Sequence, residues 1–219
     1  MKGHNKMKVI VIDTETTNTI EEPIVYDMGF SIVDKESGEI EDMRSYVVAD
    51  IFLDKSLMDN AYFKDKIPQY WEEIKSGKRV LTSWYKIARE FRNLVKDNEI
   101  AEVYAHNMRF DYRALNLSQR FITCSKFRYF FPYGMKICDT LKMARETLKD
   151  SQEYRDFCVE NGFITSKNQN RYTAEVIYRY LTNDLDFVEA HTGLEDVLIE
   201  KEILKYCLSI NKECDGRLW

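Results

Sequence analysis

After a polar start, the chain runs Lys8-Val9-Ile10-Val11-Ile12-Asp13-Thr14-Glu15-Thr16. The uninterrupted apolar, mostly β-branched run predicts a strand buried on both faces. Residues 24–33 carry Tyr26, Met28, Phe30 and Ile32 at period two, which predicts a second strand. Lys35-Glu36-Ser37-Gly38 reads as a turn and residues 39–49 as a returning third strand, so a meander is expected. Residues 50–80, with Pro68 and Gly77, mix polar and apolar positions and predict short helices. Residues 83–96 place Trp84, Ile87, Ala88, Phe91, Leu94 and Val95 at helical spacing. A fourth strand is expected over 100–105, a helix over 111–121, a short fifth strand over 135–138 and a helix over 140–149. A further helix is expected over 173–190, and a last one starting near Thr192. There is no internal repeat and no low-complexity linker.

Composition narrows the class without naming a function. A length of 219 residues fits one domain, or one with an elaboration. Hydrophobic residues at 44% and aromatics at 13% suffice for a core. No apolar run approaches the roughly 18–20 residues of a membrane span. Residues 1–7 lack the apolar centre of a signal peptide and read as a flexible extension, with Met7 an alternative start. The five cysteines form no Cys-x-x-Cys pair, which argues against a zinc site or disulfide framework and fits a reducing cytoplasm. A net charge of −5 argues against a general nucleic-acid coating protein, but not against an enzyme gripping a few terminal nucleotides.

Asp13 and Glu15 change the picture. Side chains alternate along a strand, so these two acids point the same way at the end of a buried run. Paired carboxylates there repel each other and are costly to desolvate. Two readings follow. Either the strand end emerges into solvent with two wet acids, or the pair holds a divalent cation with a preference for oxygen, such as Mg²⁺ or Mn²⁺.

Two further segments favour the second reading. Val103-Tyr104-Ala105-His106-Asn107-Met108-Arg109-Phe110-Asp111 is a short apolar run ending in polar residues, and His191-Thr192-Gly193-Leu194-Glu195-Asp196 lies near the C-terminus. Together they resemble the DEDDh 3′→5′ exonucleases, whose motifs are Asp-x-Glu after a strand, an Asn-x-x-Phe-Asp type segment and His-x-x-x-x-Asp. Here these are Asp13 and Glu15, then Asn107, Phe110 and Asp111, then His191 and Asp196. The sister group with a tyrosine four residues before the last acid does not fit, because that position is Thr192. The third motif departs from the family at Gly193, where a small apolar residue is common. Thr192-Gly193-Leu194-Glu195 fits a capping box with Thr192 as N-cap, which would start a helix between His191 and Asp196 and let both face one site.

The resemblance implies an α/β, ribonuclease H-like fold: a five-stranded mixed sheet flanked by helices, forming one exonuclease domain over 1–219. It implies hydrolysis of phosphodiester bonds at single-stranded DNA or RNA 3′ ends, releasing nucleoside monophosphates. Two Mg²⁺ or Mn²⁺ ions would be held by Asp13, Glu15, Asp111 and Asp196, with His191 as general base. Thr14, Thr16 and Thr17 are candidates to meet the terminal nucleotide or to be ordinary strand-end polarity. Asn107 either bonds substrate or braces the loop of Asp111, and Phe110 is core or a stacking ring. His106 reads as structural, and Asp139 as a possible outer-shell acid. Lys126-Phe127-Arg128-Tyr129-Phe130-Phe131-Pro132-Tyr133 interleaves basic and aromatic residues, in the manner of either a single-strand platform or core packing. A DNA polymerase is a possible partner. Two alternatives stand: a ribonuclease H-like endonuclease, and a catalytically silent nucleic-acid- or polymerase-binding module of the same fold. DNA versus RNA and the oligomeric state stay open.

Overall fold

A computed structural model describes residues 7–210 and 213–216. The expected extension over 1–7 therefore lies almost wholly outside the described residues. The first apolar run continues past its acids, so β1 spans Lys8–Asn18. It is flanked by β2 (Pro23–Asp34), which is buried along its whole length, and β2 by β3 (Ile40–Val48). These three form the antiparallel meander, with Asp13 opposite Gly29 and Glu15 opposite Asp27. The register shifts between Glu15 and Thr16, a bulge where the strand leaves its acids behind.

Residues 49–82 hold α1 (Ala49–Phe52), α2 (Lys55–Met58), a 3₁₀ turn, α3 (Ile67–Ser76) and the short strand β4 (Val80–Thr82). Then come α4 (Trp84–Asp97), β5 (Glu102–Ala105), α5 (Met108–Ile122) and β6 (Lys136–Asp139). The C-terminal third is helical: α6 (Thr140–Leu148), α7 (Gln152–Glu160), α8 (Ala174–Thr182) and α9 (Gly193–Ser209). Among the described residues the sheet has six strands in the order β4-β3-β2-β1-β5-β6, with β5 and β6 parallel to β1 and β4 parallel to β3. The sheet thus has one strand more than expected. β4 has three residues, too few to show a period.

The pleat of β1 divides the core. Ile10 and Ile12 pack with Trp84 and Phe91 of α4 and Ala114 and Leu115 of α5. Val9 and Val11 pack with Met143 of α6, Tyr154 of α7, Ile177 of α8 and Val197 and Ile203 of α9. One helical expectation is corrected and one helix was not expected. α8 stops at Thr182 rather than 190, because Asn183 turns left-handed (φ 56°) and ends the helix. α7 has too few apolar positions to announce itself, and it is anchored by Tyr154 and Cys158 with Ser151 as N-cap.

Candidate active site

The site forms where the C-terminal half of β1 meets the start of α9. Asp13 and Glu15 continue the face of Val9 and Val11, the face that α9 covers. α9 comes unusually close. A Cβ on Gly29 would lie 2.0 Å from the Gly193 carbonyl oxygen, and one on Gly193 would lie 2.7 Å from the Gly29 nitrogen. Gly193, the departure from the family pattern, is therefore a backbone-to-backbone contact that only glycine permits. The Gly193 N–H donates to Asp27 Oδ2 at 2.9 Å, pinning the helix start to β2.

The capping box takes a different form from the one expected. The Thr192 hydroxyl donates to the Glu195 carboxylate, while the Thr192 N–H donates to Asp196 Oδ2 at 2.9 Å. The Thr192 side chain caps no helix N–H. Asp196 still falls in the first turn. As a result Asp13, Glu15 and Asp196 each bring a carboxylate oxygen within 4.8 Å of the others.

Asp111 stands beside this trio. It sits in the first turn of α5, after Asn107 in a left-handed conformation (φ 71°), and accepts the Thr14 hydroxyl at 2.8 Å. The Thr14 hydroxyl thus faces inward to brace an acid. The Thr17 hydroxyl donates to the Leu57 carbonyl from a buried position. Thr16 is half-buried. The Asn107 N–H donates to Asp139 Oδ1 at 3.1 Å, and the same oxygen caps α6 through Leu141 N–H. Asp139 therefore ties the Asn107 loop to α6. Phe110 is half-buried, with the Arg113 guanidinium 5.9 Å above its ring.

His191 sits at the rim, in a second group with Glu175 and Glu189. Its ring stacks on Phe63 at 4.6 Å, and its Nδ1 lies 3.9 Å from Glu189 Oε2. Burial and the Lys66 charge lower its pKa below the ordinary value, so it is neutral at pH 7. His106 is braced instead. Its Nε2 must donate to the Tyr172 carbonyl (2.8 Å), leaving Nδ1 to accept from the Thr140 hydroxyl (3.2 Å).

Two residues at the site escaped the sequence reading. Glu200 is 3% exposed, and burial, with Asp111 and Asp196 nearby, pushes its pKa well up. It lies one turn after Asp196 on the same face of α9, a spacing legible in the sequence. Lys66 donates to the carbonyl of Ala190 and, at 3.2 Å, to that of His191. Its charge offsets a small part of the rise in the pKa values of Glu15 and Asp196. Nothing in residues 50–80 marks it.

The acids are held against their own charge. Burial foremost raises Asp13 well above the carboxylate range, Glu15 to about 9, Asp196 to about 8 and Asp111 to about 7. Asp196 Oδ1 and Glu200 Oε2 are buried without a hydrogen-bond partner. Converging carboxylates with orphaned oxygens are an oxygen-rich donor set that suits a hard divalent cation. Beside them opens a cavity of about 1000 Å³, lined by Asp13, Asn107 and Glu200 and also by Arg145, Lys149 and Arg171.

No protein-family profile and no curated protein sequence matches the chain. Solved structures do. The nuclease domain of 3′hExo, a DEDDh family member bound to rAMP, superposes with a TM-score of 0.64 at 13% identity, covering 98% of this chain and 97% of that one. This is the ribonuclease H-like fold of the DEDDh exonucleases. A 3′-exonuclease recognising the histone mRNA stem-loop scores 0.64 at 14% identity, over 97% of this chain and 69% of its own. E. coli Exonuclease I with an oligonucleotide scores 0.60 at 15% identity, over 94% of this chain and 41% of its own. At such identities the likeness is one of fold. Of the acids and the histidine singled out in the sequence, Asp13, Glu15 and Asp196 are drawn together, and His191 is set apart at the rim.

Proposed function

We propose that the chain is a metal-dependent 3′→5′ exonuclease, a single domain that removes nucleoside monophosphates from single-stranded DNA or RNA. The observation that carries this reading is the meeting of Asp13, Glu15 and Asp196, from opposite ends of the chain, within 4.8 Å, beside buried carboxylate oxygens that no protein group satisfies. Those three acids with Asp111 would hold two Mg²⁺ or Mn²⁺ ions. Bound there, the ions would supply charge relief on the phosphate and a more acidic attacking water. His191, neutral at pH 7 and with its side chain 41% exposed, would take the proton from that water. Arg145, Lys149 and Arg171 line the same cavity as Asp13 and Glu200 and suit the phosphates of an incoming strand. Support for the 3′ polarity comes from the 3′-exonuclease described with a histone mRNA stem-loop, and support for single strands from Exonuclease I described with an oligonucleotide. No described surface argues for a polymerase partner. Among the described residues the cysteines are free, which fits a reducing compartment such as the cytoplasm, and no helix is long and apolar enough to cross a membrane.

Chelation followed by metal return tests the reading. Excess chelator should abolish hydrolysis of a single-stranded oligonucleotide, and Mg²⁺ or Mn²⁺ should restore it while raising the melting temperature. Undiminished hydrolysis in chelator would overturn the metal-dependent mechanism.

A further inference from the structure

The stretch 112–138 carries five basic residues, Arg113, Arg120, Lys126, Arg128 and Lys136, and no acidic one, in a chain whose net charge is −5. The fold arranges these charges. Arg109, Arg113 and Arg120 recur at helical spacing and are all exposed, a basic stripe along the solvent face of α5. α5 begins at Asp111's turn and has 15 residues. At about 1.5 Å per residue it carries the stripe about 14 Å from Asp111 to Arg120.

The stripe ends at a platform of rings. Phe127 is 65% exposed, Tyr129 58% and Tyr133 fully exposed. They border a cavity of about 690 Å³ that Lys126, Arg128 and Arg92 also line. The platform is firmly built. Phe130 and Phe131 are buried beneath it against Phe91. The Phe130 N–H donates to Asn116 Oδ1 at 2.9 Å, and Gln119 Nε2 donates to the Phe127 carbonyl at 3.0 Å. Arg120 joins stripe to platform: its Nε donates to the Arg128 carbonyl at 3.3 Å, and its guanidinium lies 5.6 Å over the Tyr129 ring. Core packing therefore accounts for Phe130 and Phe131 but not for the three exposed rings.

We propose that the arginine face of α5 and the ring platform at 127–133 form a track for single-stranded nucleic acid, holding the strand upstream of the end that sits at the carboxylates. Exposed rings alternating with cations match the two things every single strand offers, base faces and phosphates. An apolar protein partner would have no use for the cations. The direction of entry rests on the nuclease reading; the binding itself does not. About 14 Å corresponds to about four nucleotides at the rise of stacked bases, so an oligomer of about that length meets at most the near edge of the rings while a longer one can cover them.

The test measures fluorescence anisotropy in chelator, where no chemistry intervenes, with oligothymidylate and oligouridylate of about 4 and about 16 nucleotides. The long oligomers should bind more tightly than the short. The triple substitution Phe127→Ala, Tyr129→Ala, Tyr133→Ala should weaken the long oligomer about tenfold or more. Arg120→Ala with Arg128→Ala should flatten the dependence of log affinity on log salt by about 1–2. Hydrolysis of the tetranucleotide with Mn²⁺ should fall less than binding of the long oligomer in both variants. Tyr133→Ala alone, at a fully exposed position, guards against misfolding of the triple and should give a smaller loss of the same kind. Equal long-oligomer affinity in wild type and ring variants overturns the track. So does loss of self-association in sedimentation with no change in oligonucleotide binding, which would make the rings an interface between copies. If neither protein hydrolyses the tetranucleotide while the long-oligomer loss stands, the nuclease reading fails and the track survives.

Discussion

His191 is separated from the carboxylate trio by its own rim group, so its role can be tested apart from theirs. His191→Ala leaves Asp13, Glu15, Asp111 and Asp196 in place. We expect metal-induced stabilisation to persist while the rate falls on the order of 10²–10⁴-fold, as loss of a general base does. The acid limb of the wild-type rate should disappear in the variant. Loss of metal stabilisation along with rate would instead make His191 a support for the acids. Glu200 offers a second test. Its buried, unpartnered Oε2 disfavours the folded metal-free protein, so Glu200→Gln should melt higher in chelator and gain less from added metal. Melting below wild type in chelator would show that the carboxylate is satisfied in some other way. The five acids and the histidine differ in how legible they were. Asp13 and Glu15 stood out because a buried strand has no other use for them. Asp111, His191 and Asp196 needed the family resemblance. Glu200 was hidden because a Glu one turn along a helix is ordinary until the burial of that face is known.

At the scale of elements, the site depends on how α9 is docked. Arg79, just before β4, is fully buried and donates to Asp27 on β2 at 3.0 Å, to Glu73 on α3 and to Glu195 on α9 at 2.7 Å. Asp27 in turn accepts the Gly193 N–H and, at 2.7 Å, the Tyr70 hydroxyl. One guanidinium thus holds the sheet, α3 and the helix that delivers Asp196. Arg79→Leu leaves Asp27 buried beside the acids without its cation. Removing one partner of a buried pair costs about 3–5 kcal/mol. We expect a loss of that size in denaturant unfolding, together with weaker metal stabilisation because Asp196 loses its placement. A cost below about 1 kcal/mol, as for an exposed pair, would show that the network is not holding the helix. The meander and the helices α4 and α5 were legible because their apolar spacing is long and regular. Arg79 was not, since a lone arginine between Lys78 and Val80 carries no sign of burial. The overrun of α8 has a similar cause: Leu181 and Phe187 continue an apolar pattern that Asn183 interrupts by backbone conformation alone.

At the scale of the whole molecule, crowded acids make stability depend on pH. The folded pKa values of Asp111, Asp196 and Glu15, at about 7, 8 and 9, lie above those of free carboxyl groups, near 4. The folded state therefore holds protons that the unfolded state has lost. That contribution is complete below about pH 4 and is lost as pH rises through 7 to 9. In chelator the melting temperature should fall across this window, and Asp13→Asn should shallow the fall by removing one of the interacting charges. Added Mg²⁺ or Mn²⁺ should oppose it. A melting temperature that is flat or rising over the same window would mean that the acids are already neutralised within the protein.

The most direct test of the central claim is the polarity and position of cleavage. The wild-type protein is incubated with Mn²⁺ and either a linear single strand labelled at its 5′ end or a circular single strand. The account expects a ladder of labelled products shortening from the 3′ end, and an intact circle. Rapid cutting of the circle would contradict it and favour an endonuclease of the same fold, while metal-loaded protein that leaves both substrates whole would favour a silent binding module.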